Sequence, residues 1–169
     1  MGYHLVAVIG GSDLLGRVTR AATVSLTQGL SLLPMTDEFR DEVGDGSPVV
    51  PAGFEFMPGG FDRTLMSWSA GGPVAYVEAE YFGGVGTQCA AVWHGGTLVY
   101  GPCAEPPLPR TRDEPLGRRT ASTRSPISAA LHRLGVVRGE HDDEFAAVGL
   151  GRHRDLDDWL DSATGLHDQ

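Results

Sequence analysis

The chain has 169 residues, is 41% apolar and has a mean hydropathy of −0.13, which fits one domain able to bury an ordinary core. Its 22 acidic residues face 13 basic ones, all arginine, for a formal charge of −9. So acidic a surface disfavours nucleic acid and anionic membrane and favours a basic protein partner.

No apolar run approaches the ~20 residues of a membrane span. MGYHLVAVIGGSD at the start has no basic stretch ahead of its apolar one, so no secretory leader is expected. Cys89 and Cys103 form neither a disulfide framework nor a CxxC pair. The expected compartment is the reducing cytosol, and the all-arginine bias points to a high-GC bacterial genome.

In chain order, YHLVAVI (3–9) is β-branched and apolar and predicts a buried strand. Ser12 offers an N-cap for a short helix carrying Leu14, Leu15 and Val18. Val24 and Leu26, then Leu30 and Leu32, alternate around a Gln28-Gly29 turn and predict a hairpin. Thr36 caps a short helix, DEFRDEV, whose leading acids suit the helix dipole and which stops at Gly44. Residues 44–60 hold too much Gly and Pro for a regular element. A helix follows from Asp62 to Gly71-Gly72, with Phe61, Leu65 and Trp68 on one side.

PVAYVEAEYF (73–82) gives the strongest strand pattern. Strands over 87–93 and 97–101 flank His94-Gly95-Gly96, expected to be a three-residue hairpin loop. Residues 104–124 are rich in Pro and Arg without periodicity, which predicts a mobile loop or internal linker; 108–124 carry five Arg against two acids. Ser125-Pro126 opens a helix with Ile127, Leu131 and Leu134 on one face and Gly135 as its stop. FAAVGL (145–150) is expected as an edge strand, and Asp155 caps a last helix burying Leu156, Trp159 and Leu160. Hairpins and helices without regular βαβ alternation give the α+β class: a mainly antiparallel sheet packed with short helices, in a single domain 1–169.

No motif carries a confident chemistry. GGSDLLGR (10–17) follows a strand as a phosphate loop would, but it has Arg17 and Val18 where Lys and Ser/Thr belong, so it is a strand-to-helix turn. The six histidines follow no metal-ligand spacing, and no metal or cofactor is expected. In YFGGVGTQ (81–88) the glycines at 83, 84 and 86 either serve a hairpin turn or permit close approach of another backbone or a ligand. Glu78 and Glu80 share one strand face with Tyr76, expected to be the solvated face of a half-buried sheet. Arg152 and Arg154, in GLGRHRD, either clamp a carboxylate or phosphate or pair inward with Glu78 or Glu80, the inward pairing being favoured.

YVEAEYFGGVGTQCAAVW, SPISAALHRLGV and DEFAAVGLGRHRDLDDWL together resemble an uncharacterised family of small bacterial cytosolic proteins, mostly over the C-terminal half. The resemblance supplies no catalytic residues. In size and acidity the chain is similar in character to immunity proteins of polymorphic toxin systems. The expected function is therefore a non-enzymatic binding protein, most concretely an immunity-type inhibitor with a basic partner. Its expected contacts are Glu78, Glu80, Tyr81, Phe82, Gly84, Gln88, Arg152 and Arg154. The alternative is a small enzyme or ligand-binding protein using Glu78, Glu80 and the Gly-rich loop 83–86.

Overall fold

The computed structural model describes residues 2–47, 54–82, 85–105 and 125–164. Six strands form one sheet: β1 (Gly2–Gly11), β2 (Val24–Ser25), β3 (Leu30–Pro34), β4 (Val74–Phe82), β5 (Val85–His94) and β6 (Thr97–Glu105). Their order is β2-β3-β1-β4-β5-β6, and every pairing is antiparallel. The α+β expectation and the three consecutive strands after residue 73 both hold.

Both faces of this sheet are covered. Helices α1 (Ser12–Val18), α2 (Asp37–Val43) and α3 (Phe61–Trp68) precede β4, whereas α4 (Pro126–Arg133), α5 (Glu144–Val148) and α6 (Leu156–Thr164) follow β6. Leu5, Ala7 and Ile9 of β1 pack with Val77, Ala79 and Val92 against Ile127, Leu131, Val148 and Trp159 from the C-terminal helices. Val6, Val8, Tyr76 and Trp93 point the other way, into a second core with Leu14, Leu15, Phe61 and Leu65. That arrangement explains why YHLVAVI is apolar without alternation: Leu5 to Ile9 are all fully buried. It also corrects the expectation of a half-buried sheet with one solvated face.

Local signals set most element ends. Thr36 Oγ1 accepts from the Phe39 N–H (3.2 Å), Ser125 Oγ from Ser128 (3.4 Å), and Asp155 Oδ1 from Asp158 (2.9 Å). The β2–β3 turn places Gln28 and Gly29 at φ 61° and 78°. His94 pairs directly with Thr97, so the β5–β6 loop is the two residues Gly95-Gly96 rather than three. Both have positive φ, as a primed hairpin turn requires.

Three further expectations are corrected. Gly11, not Ser12, is the N-cap of α1, and the Ser12 hydroxyl instead lies 2.7 Å from that of Ser31. FAAVGL is helical, because Asp143 caps α5 by accepting from Ala146 (2.9 Å) and Gly149 at φ 93° closes it. Finally, β6 continues through Ala104 and Glu105, opposite Cys89 and Gln88, two residues into the expected linker. Residues 106–124 lie outside the described residues.

Candidate functional site

The polar residues of β4 divide by depth. Glu78 is only 6% exposed, under the segment 54–57. Its carboxylate accepts from the backbone N–H groups of Glu55 (2.7 Å) and Phe56 (2.8 Å) and from the Tyr76 hydroxyl (2.9 Å). Burial pushes the Glu78 pKa up, and these three donors offset part of that shift. The same burial, with the Glu78 charge beside it, raises the Tyr76 phenol above its ordinary value. The Phe54 and Tyr76 rings meet edge-to-face with their centroids 4.8 Å apart. Glu78 thus ties an irregular segment to the sheet and presents no free surface to a partner.

One row nearer the end of the sheet, the same face opens. The register sets His4 of β1 opposite Glu80 of β4, and Glu80 opposite Thr87 of β5. Cross-strand partners share a face, so the three form a row. Glu80 has 58% of its side chain exposed and its Oε2 lies 3.6 Å from His4 Nδ1. The His4 ring rests edge-on against Phe56 at 5.3 Å.

This row lines an open cleft of about 500 Å³ where β1 begins and β4 ends. Glu55 and Asp155 add two carboxylates and Arg154 adds a cation. The last is placed by its own backbone, whose carbonyl accepts from the His4 N–H at 2.7 Å. Tyr81 is half-buried and packs against the core beneath the C-terminal helices. Phe82, at the lip, is 79% exposed.

Of the residues expected to contact a partner, the cleft therefore gathers Glu80, Tyr81, Phe82 and Arg154. Gln88 points to the opposite face and is buried, its Oε1 accepting from the Ile127 N–H (3.0 Å) at the start of α4. Arg152 donates to the Ser25 carbonyl (2.8 Å), with its guanidinium 5.4 Å from the Trp159 ring centroid. The favoured inward pairing of Arg152 and Arg154 with Glu78 or Glu80 is absent among the described residues. Gly84 lies outside the described residues. His4, Glu55, Thr87 and Asp155 are among the cleft residues that sequence reasoning missed; His4 and Thr87 become visible once β4 is known to sit between β1 and β5.

Among the described residues, no group of three or more His, Cys, Asp or Glu side chains is arranged to hold a metal ion. No helix among them is long and apolar enough to cross a membrane. No protein-family model, curated protein or solved structure matches the chain.

Proposed function

We propose that the chain is a non-enzymatic binding protein whose contact face is the cleft between His4, Glu80 and Arg154, and most concretely an immunity-type inhibitor of a basic toxin domain in the bacterial cytoplasm. The observation that carries this reading is Phe82, a large aromatic side chain left 79% exposed beside Glu55, Glu80 and Asp155. Aromatic side chains are enriched in protein interfaces, where they bury large area at low entropic cost. The formal charge of −9 adds long-range attraction for a basic partner. In size and acidity the chain is similar in character to immunity proteins of polymorphic toxin systems, which points the same way.

The test is isothermal titration of the purified chain with the product of the adjacent gene. Phe82→Ser should weaken binding by roughly 10- to 100-fold, on the scale of an aromatic anchor. Unchanged affinity for Phe82→Ser and Glu80→Gln, both folded by circular dichroism, would remove the cleft as the contact face.

One observation favours the second reading, a small enzyme or ligand-binding protein. The imidazole of His4 and the carboxylate of Glu80 stand 3.6 Å apart in a cleft, with the Thr87 hydroxyl one strand further on. An imidazole–carboxylate pair is the core of a general base. Glu78 is excluded from that chemistry, because its oxygens are engaged under the segment 54–57.

A further inference from the structure

The cation in the cleft sets what enters it. Strand β3 pairs with β1 from Ala7 to Gly11, and the Met35 N–H carries that line one step further, to the Val6 carbonyl. Beyond this point β1 has lost its β3 neighbour. The Arg154 carbonyl takes the vacated position by accepting from His4. Arg154 therefore stands on one flank of His4 while Glu80 stands on the other, on β4. Strand spacing places their backbones about 10 Å apart.

With their backbones on opposite flanks of His4, the two charges form no ion pair among the described residues. The other described arginines after residue 124 are engaged. Arg133 and Arg138 donate to the carbonyls of Val99 and of His141 and Asp142, and Arg152 to that of Ser25. Among the described residues, the Arg154 guanidinium has neither a hydrogen-bond nor an ion-pair partner, although Asp155 and Glu80 line the same cleft. A free guanidinium is a two-pronged donor for a carboxylate. In the same cleft, Glu55 and Glu80 suit a cation, and the exposed ring of Phe82 offers a face for guanidinium stacking. A volume of about 500 Å³ lies within the range of small-ligand sites.

We propose that the cleft holds a basic residue by both of its charged ends: the guanidinium by Glu55 and Glu80, and a free α-carboxylate by Arg154. Free arginine presents that pair of groups, as does an arginine at the C-terminus of a chain. The proposal rests on the cleft being the contact face and adds the chemistry of what occupies it.

The experiment is calorimetric titration of the full chain with N-acetyl-glycyl-arginine, its C-terminal amide and L-arginine. An acidic surface alone would prefer the amide, which carries one more net positive charge. The double-ended site predicts the reverse, with the free acid bound at least ~10-fold more tightly, as a charge-assisted bidentate pair allows. Arg154→Leu should abolish that preference while leaving amide binding in place; the side chain is exposed and has no described partner, so the fold should survive. L-arginine matching the peptide acid would assign the free amino acid, and weaker binding would assign a chain terminus. Equal or tighter binding of the amide to the wild type, a preference that persists in Arg154→Leu, or no binding of any probe at millimolar concentration would overturn the proposal. Amide binding that is tighter and lost in Glu80→Gln would still leave the cleft as a contact face for cations. Only unchanged partner affinity in the Glu80 and Phe82 variants removes that reading.

Discussion

Gly86 lies so close to Glu80 across the β4–β5 hairpin that a Cβ on it would stand under 3.0 Å from the Glu80 carbonyl oxygen. The same Cβ would meet the Tyr81 Cα and ring inside that limit. The last glycine of YFGGVGTQ is therefore demanded by its own neighbouring strand, with no need for a phosphate or a partner backbone. Gly86→Ala should force the two strands apart beside the cleft and lower the unfolding free energy by ~1–3 kcal/mol, the range of steric overpacking. Urea denaturation measures this, and a loss under ~0.5 kcal/mol would show that the hairpin gives way easily.

Glu78 makes stability depend on pH. Its folded-state pKa is raised, foremost by burial, so the folded chain holds the proton more tightly than the unfolded chain, whose ordinary value is 4.5. Protonation therefore favours folding. This contribution is complete below pH 4.5 and is lost as pH climbs through the raised folded-state value. Glu78→Gln cannot titrate, so the wild type should lose stability relative to the variant as pH rises from 4.5 towards neutrality. Guanidinium denaturation of both proteins at several pH values checks this, and parallel stability profiles would show that Glu78 is not the titrating group. Glu78→Ala is a separate case. It leaves the Glu55 and Phe56 N–H groups without their acceptor and should cost about 2–4 kcal/mol below pH 4.5, where Glu78 is protonated, and less as pH rises.

Gln88 offers a control for binding. Its side-chain oxygen accepts from Ile127 in the first turn of α4, where backbone donors have no helical partner. Gln88→Ala should cost about 1–3 kcal/mol by leaving that buried N–H unpaired. Partner affinity should stay within two-fold, since the residue lies on the face away from Glu80 and Thr87. A variant of native stability with weakened binding would reverse these assignments.

Local chemistry made much of the fold legible. Thr36, Ser125 and Asp155 cap their helices as their types predict, and Gln28-Gly29 and Gly95-Gly96 turn where positive φ is needed. Non-local packing was harder to read. Glu78 and Glu80 are two residues apart on one face and equally polar, yet only Glu78 lies beneath the segment 54–57, which contacts it from 22 and 23 residues away. Arg152 and Arg154 are likewise alike in sequence. Trp159 and the Ser25 carbonyl hold the first, while only the backbone of the second is anchored, at His4. FAAVGL shows the opposite error: an apolar run suggested a strand, although Asp143 and Gly149 at its ends already carried helix signals.

Glu80 and Phe82 should act on different steps of binding. Glu80 is exposed, so its charge acts through solvent and steers approach. Glu80→Gln should lower the association rate constant a few-fold at low ionic strength, and the difference from wild type should shrink as salt rises. Phe82 carries no charge and contributes only on contact. Phe82→Ser should leave the association rate nearly unchanged and raise the dissociation rate, roughly 10-fold or more if the ring is buried by the partner. Because Phe82 is 79% exposed, the same substitution should change the unfolding free energy by under ~0.5 kcal/mol, which separates a binding defect from a folding one. Surface plasmon resonance with the adjacent gene product, at 20 and 200 mM salt, would measure both rate constants. A Phe82→Ser effect confined to association, or a Glu80→Gln effect that ignores salt, would show that the cleft is not read in this way.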